Sequence, residues 1–417
     1  MAWLDALRGI AALCVVYAHF GVRVLPWLHT AIYTEFDPGL YGVLVFFLIS
    51  GYIVPASLER RGCVRTFWIS RLFRLFPLFA LVIGIALLLH AFGMASLRGA
   101  ANQSPTVSVL AHLFMLSDLL GQASILIVAW TLSYEMVFYL LVTALFTVRL
   151  HVRSGGLGVL FAGGALLLGG LLPTVWLSSS RSLGLTPVAV GADILIIGGL
   201  AVAAAARGLP RALGAWTAAL TGLVLVVLNE RKFAYEGLAI LALMFTGTLL
   251  YRAQHGQIGR GRAGMAVAGI FAAVIAAGAW HIPTFFPGNP ITIQRQWVLS
   301  VALAGLTFAA GLTLQRVRVP SSLAWLGLVS YSVYLVLPVL LDVYDASPFA
   351  TADHDQAWLQ AALAAGFVAA LLACAAATHY LVEAPMQRLG RRVTARLDDR
   401  LGSGQTHAPL QPIRSAT

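Results

Sequence analysis

The sequence predicts an all-α, polytopic transmembrane helix bundle of 10–12 spans, and three observations predict it. Hydrophobic residues make up 59% of the chain and charged residues only 10%, where an ordinary soluble domain carries roughly 25% charge. Mean hydropathy is +0.86, which leaves too little polar surface to dissolve as a globule. Apolar windows of about 17–25 residues, the length a helix needs to cross a hydrocarbon core of about 30 Å, recur along the whole chain. They run uninterrupted, whereas tilted barrel strands are about half as long and alternate in polarity, so the spanning solution is helical.

Taken in order, the windows lie near 7–24, 40–58, 72–94, 130–148, 156–176, 187–205, 212–229, 234–252, 263–281, 297–315, 323–341 and 357–383. The pair 187–205 and 212–229 is the weakest and is open to reading as one broken helix pair. The stretch 106–121 is apolar but carries His112 and Asp118, which predicts a re-entrant or interfacial segment. Residues 1–385 form one membrane domain, and 386–417 read as a basic juxtamembrane helix followed by a disordered tail.

Charge placement supports this plan. The net charge of +11 does not mark a nucleic-acid partner, because the basic residues sit in short clusters between apolar windows. With the N-terminus cytoplasmic, 21 of the 27 Lys and Arg fall on the cytoplasmic side and 5 on the other, with Arg23 at the boundary. Both termini are then cytoplasmic, and the Gly/Ala runs between serve close helix packing. Arg8 interrupts the first apolar stretch and no small-residue cleavage site follows, so the first helix is expected to be an uncleaved anchor. Cys14, Cys63 and Cys374 show neither a disulfide framework nor metal spacing, and no metal is expected. Lys232 stands alone against twenty-six arginines, which fits a GC-rich coding sequence; a multi-pass protein of a bacterial inner membrane is the expected setting.

Ionisable groups inside a bilayer cost roughly 2.5–3.5 kcal/mol each on insertion scales, so each is a functional candidate. Arg8 and His19 lie eleven residues apart in the first window. That spacing is about 16 Å of rise with about 20° of residual rotation, which puts both on one helix face. Arg8 would sit at the rim and His19 past the midplane, an arrangement for holding an anion at the rim and moving a proton deeper in. The competing reading is a snorkelling Arg and a packed His.

The spacing Arg-x10-His, the LDALRGIAAL run around it, FFLISGYIV (Phe46 to Val54), FWISRLFRLFP (Phe67 to Pro77), WTLSYEMVFYLL (Trp130 to Leu141), VSYSVYLVLPV (Val329 to Val339) and YLVEAPMQRLGRR (Tyr380 to Arg392) occur in this order. Together they resemble the landmarks of the membrane acyltransferase-3 family over nearly the whole chain. The resemblance implies acyl transfer from acyl-CoA, acetyl-CoA first of all, to a glycan or natural-product hydroxyl, with Arg8 and His19 needed for activity.

Arg71 and Arg74 lie at i,i+3 on the cytoplasmic start of the third window, after Arg60, Arg61 and Arg65. Guanidinium forks bind phosphate oxygens bidentately, so Arg8, Arg71 and Arg74 are the expected coenzyme A contacts; simple positive-inside charge is the alternative. Glu135 lies five residues past the interfacial Trp130, and His19 five residues before the outer end of its helix. Matching depth makes His19 and Glu135 the expected catalytic dyad, against a structural pair between helices. Asp193 falls at a similar level and is the expected contact for acceptor hydroxyls, with helix packing the alternative. Tyr331 lies in the run where the family usually continues Leu-Trp-His and this chain has Val336 and Leu337; it is the residue of that run assigned to substrate binding, in a more apolar pocket. Met136 replaces the second acid expected after Glu135, and Glu383 is expected to pair with Arg71 or Arg74.

The expected function is an integral-membrane O-acyltransferase acting on a cell-surface glycan. O-acylation of a secondary-metabolite sugar or macrolide hydroxyl is the first alternative, and a transporter with a buried proton or anion path is the second. The charge distribution makes one expectation testable: a reporter fused after Arg392 and one inserted near Asp353 should report opposite sides of the membrane, the first cytoplasmic. Both reporters on one side would show the helix parity to be wrong.

Overall fold

The computed structural model describes residues 1–95, 105–351 and 356–402. Arg98, Asp353, Asp355 and the tail beyond Gly402, all used in the charge and topology reading, lie outside the described residues. The protein is a multi-pass helical membrane protein. Among the described residues eleven helices are long and apolar enough to cross a membrane, within the expected range.

Helix α1 (Ala2–Val24) is followed by the short α2 (Pro26–Tyr33), then α3 (Pro38–Arg61) and α4 (Val64–Ala91). The Asp37-Pro38 step starts α3: the Asp37 carboxylate accepts from Leu40 N at 3.0 Å, and Pro38 occupies a first-turn position where no backbone donor is needed. Gly62, with φ +65°, ends it. The stretch expected to be re-entrant forms α5 (Pro105–Leu113) and a turn in which Leu116, Leu119 and Leu120 are buried. Its free carbonyls find partners elsewhere: Ser133 Oγ donates to Met115 O at 2.6 Å, and Asn229 Nδ2 to Leu119 O at 2.9 Å. Irregular backbone is tolerated among apolar helices only where it is hydrogen-bonded in this way. His112 Nε2 accepts from Ile125 N at 3.1 Å while Nδ1 faces Ser108 O at 2.8 Å, the pattern of a neutral imidazole, and burial draws its pKa down. His112 holds this turn together.

The chain continues through α6 (Trp130–Thr147), α7 (Ser154–Leu168), α8 (Leu185–Ala205), α9 (Gly208–Leu228), α10 (Ala234–Gln254), α11 (Arg260–Phe285), α12 (Pro290–Thr313), α13 (Ser321–Asp345), α14 (Ala357–Thr378) and α15 (Ala384–Leu401). The pair 187–205 and 212–229 forms two complete helices, α8 and α9, rather than one broken pair. The window 156–176 instead yields the short α7, whose helix stops at Gly169-Gly170: a Cβ on Gly169 would lie 2.4 Å from the Cβ of Tyr235. The last window runs through a single π turn, His379–Glu383, straight into α15. That basic helix is not free, since Gly390 packs under Phe73 of α4 and Arg65 pairs with Asp398 at 2.6 Å.

The centre of the bundle is α1, packed between α3 and α13, with α10 on the far side of α3. These crossings are backbone to backbone. A Cβ on Gly327 would lie 1.8 Å from the Asp5 carbonyl oxygen, and one on Gly51 would lie 1.8 Å from that of Met244. In a bilayer, where lipid is as apolar as leucine, such close approach is what holds helices together. Gly327→Ala should therefore lower the thermal midpoint in detergent, overpacking costing about 1–3 kcal/mol. Gly198, with nothing within 4 Å of its position, is the control, and Gly198→Ala should be neutral or slightly stabilising. Equal midpoints for both variants would show that the α1–α13 crossing yields easily.

Candidate functional site

The close α1–α3–α13 crossing leaves a cavity beside it that opens toward α4 and α6. Arg8 enters it from α1, Ser50 from α3, Arg71 and Arg74 from α4, Glu135 and Tyr139 from α6, and Tyr331 and Tyr334 from α13; its empty space is ≈ 750 Å³, the mouth included. The three expected anion-binding arginines thus converge in one place. Their spacing explains the convergence on α4: residues three apart share a helix face.

Each cation is held differently. Arg8 Nη1 lies 3.3 Å from Asp5 Oδ1. The Arg71 guanidinium sits over the rings of Phe67 and Tyr139, 5.3 and 5.2 Å from their centroids, and its buried Nε has no hydrogen-bond partner among the described residues. No carboxylate lies within ion-pair distance of Arg71 or Arg74 among the described residues. Glu135 is the one carboxylate lining the cavity, and its Oε1 accepts from Ser50 Oγ at 3.1 Å and from the Tyr139 hydroxyl. Three guanidinium groups facing one carboxylate leave an excess of positive charge, with donors unspent, which is the chemistry of an anion site.

His19 lines a second cavity of ≈ 920 Å³ together with Asp37, Trp130, Lys232, Tyr235 and Glu236. Arg23 steadies this end of α1: it forks onto both carboxylate oxygens of Asp345 at 2.6 Å and donates to the carbonyl of His19. The two cavities adjoin, because Val43 and Tyr334 line both. The Tyr334 hydroxyl is fixed in that partition by Thr131 Oγ1 and Val128 O, each at 2.8 Å.

This geometry corrects several expectations. Arg8 and His19 do follow one another along α1, but they serve different cavities. Glu135 lines the arginine cavity and His19 the adjoining one, so the two residues of the expected dyad stand in neighbouring cavities. Trp130 itself shares His19's cavity, and Glu135 lies about 7.5 Å further along the helix. Asp193 lines neither cavity: it is buried on α8, and neither carboxylate oxygen has a hydrogen-bond partner among the described residues. Tyr331 lines the arginine cavity, away from His19, and its hydroxyl donates to Leu75 O at 2.7 Å. Glu383 does not meet Arg71 or Arg74. The π turn brings it to His379 Nδ1 at 2.9 Å, Ser332 Oγ at 3.1 Å and Gln387 Nε2 at 3.0 Å. Cys14 lines neither cavity.

Residues that sequence reasoning passed over complete the histidine cavity. Asp37 carried a legible signal, an N-cap before Pro38, but that signal announces a helix start and no chemistry. Lys232 belongs to the short polar string between α9 and α10, which reads as a loop, and Glu236 to the first turn of α10, where an acid reads as a helix start.

Comparison with known proteins identifies the family. Residues 1–379 match the profile of the acyltransferase-3 family, an acyltransferase domain. A Staphylococcus aureus protein (strain MSSA476) provisionally named an O-acetyltransferase is 28% identical over 200 residues, which is 42% of this chain and 30% of that protein. Nodulation protein 10 of Rhizobium leguminosarum bv. viciae is 29% identical over 189 residues, 38% of this chain and 48% of that protein. The chain therefore spans less than half the length of either relative in these matches. No solved structure matches it.

Proposed function

Because the chain belongs to the acyltransferase-3 family, we propose that it is an integral-membrane O-acyltransferase of the bacterial inner membrane, moving an acetyl group from acetyl-CoA to a hydroxyl of a cell-surface glycan. The observation that carries this reading is the pair of adjoining cavities, one cationic and one holding a histidine, with Val43 and Tyr334 lining both.

The arginine cavity takes the acyl donor. Phosphate oxygens of coenzyme A engage Arg71, Arg74 and Arg8, whose fork geometry suits them, and Glu135 with Tyr139 and Ser50 keeps the cationic wall in place. The thioester reaches the partition, where the acceptor hydroxyl approaches from the histidine cavity. His19 takes the hydroxyl proton as the oxygen attacks the thioester carbonyl carbon. The resulting tetrahedral centre collapses with cleavage of the C–S bond, and the coenzyme A thiolate recovers a proton from the imidazolium. The products are an O-acyl ester and free coenzyme A, and His19 returns to its starting state.

Two measurements separate the donor and the base. Arg71→Ala with Arg74→Ala should weaken acetyl-CoA binding in detergent, each charge-assisted contact being worth roughly 1.5–3 kcal/mol. Unchanged affinity would return both residues to a topological role. His19→Ala should leave acetyl-CoA affinity intact but reduce transfer about 10²–10⁴-fold, followed as coenzyme A release and as acetyl mass gain in the cell-surface glycan. Transfer at the wild-type rate would remove His19 from the mechanism.

A further inference from the structure

A third cavity continues the series. Trp130 and Lys232 line both the histidine cavity and a further space of ≈ 760 Å³, which is bounded also by Asp118, Ser124, Ile127 and Arg231. It is built on the buried turn before α6 and on the polar string between α9 and α10, so its walls come from loops that other side chains hold in place. The anion chemistry of the first cavity is absent here. Arg231 faces Asp118 at 3.8 Å and Lys232 binds Glu236 at 3.1 Å, so both cations already have carboxylate partners.

What the cavity does offer is unspent neutral hydrogen bonding. Asp118 Oδ2 and Ser124 Oγ are buried and have no hydrogen-bond partner among the described residues, although their residues are only 6% and 8% exposed. Leaving such groups unpaired costs about 1–3 kcal/mol each, which a ligand hydroxyl would recover. Burial raises the pKa of Asp118 against the lowering pull of Lys232 and Arg231, with Glu236 adding to the rise, so its oxygens serve either as acceptors or, once protonated, as a donor. Beside these oxygens lie the indole of Trp130 and the side chain of Ile127. A surface that is apolar on one side and hydrogen-bonding on the other matches a ring that bears hydroxyls at its edge and C–H groups on its face. The Lys232 ammonium, 3.9 Å from the Trp130 ring centroid, ties the two sides together at the mouth of the histidine cavity.

We propose that this third cavity is a binding subsite for a neutral, polyhydroxylated sugar ring of the acceptor, held through Asp118 and Ser124 against Trp130 while the reacting hydroxyl extends past Lys232 toward His19. Its assignment to the acceptor rests on the acyl-transfer reading; the sugar binding itself does not.

The test reads binding without turnover. Ala123 lines the same cavity, so Ala123→Cys places a thiol there for a charged, membrane-impermeant thiosulfonate reagent, with Cys14, Cys63 and Cys374 distinguished by peptide mass. In the full chain in nanodiscs, cellobiose should slow labelling at position 123, and glucuronate should protect less well. Adding Ser124→Ala, which removes an unpartnered hydroxyl and orphans nothing, should raise the half-protecting cellobiose concentration about 2–10-fold, and Asp118→Asn about tenfold. Absence of protection by cellobiose, protection by glucuronate alone, or protection unchanged by Ser124→Ala would each overturn the proposal. Since no acyl donor is present, loss of protection and loss of acyl transfer are separate failures: protection without any acyl transfer would sink the proposed function and leave the sugar site standing.

Discussion

Three guanidinium groups line one cavity with a single carboxylate, Glu135, inside an apolar bundle, and much of the surrounding structure follows from keeping them there. A charge buried among hydrocarbon needs partners, and one left without them costs several kcal/mol. Arg8 has Asp5, Arg71 has the rings of Phe67 and Tyr139, and Glu135 is pinned by Ser50 and Tyr139 so that its charge faces all three cations. The glycine crossings belong to the same arrangement. Gly327 against Asp5 and Gly51 against Met244 bring α1 against α13 and α3 against α10 in backbone contact. On the reading proposed above, an anionic donor completes this charge balance.

From that cationic end the interior changes character in steps. Val43 and Tyr334 close the arginine cavity on one side and open the histidine cavity on the other; Trp130 and Lys232 do the same one step further on. Each divider is an aromatic ring paired with a smaller or flexible side chain. On the reading proposed above, such a series keeps a charged donor and a neutral acceptor in chemically distinct surroundings. In a low dielectric this separation matters, because the phosphates that favour the first cavity would be costly in the others, whose cations are already matched.

The helical plan was legible because backbone hydrogen bonding in lipid permits few alternatives, and long apolar windows report it directly. The i,i+3 pair Arg71 and Arg74 was legible for the same kind of reason: helix periodicity alone puts the two on one face. How His19 and Glu135 stand to each other was not, since they lie on distant helices and line adjoining cavities whose divider, Val43 and Tyr334, comes from two further helices. Asp193 illustrates the converse. Its depth in its helix was read correctly as a place inside the span, yet rotation and neighbours decide what a side chain meets, and α8 turns it away from both cavities.

What the sequence by itself determined is therefore one-dimensional: which segments are helical, which residues share a face within a helix, and, through the ordered motifs, the family to which the chain belongs. Those properties depend on local hydrogen bonding and on composition, which neighbouring residues settle among themselves. Only the tertiary structure decided that Arg8, Arg71 and Arg74 meet around Glu135, that His19 shares a cavity with Asp37, Trp130 and Glu236 beside the partition of Val43 and Tyr334, and that Glu383 meets Ser332. These contacts join residues tens to hundreds of positions apart, and they are set by where glycines let helices touch. That has no period or composition that a sequence displays.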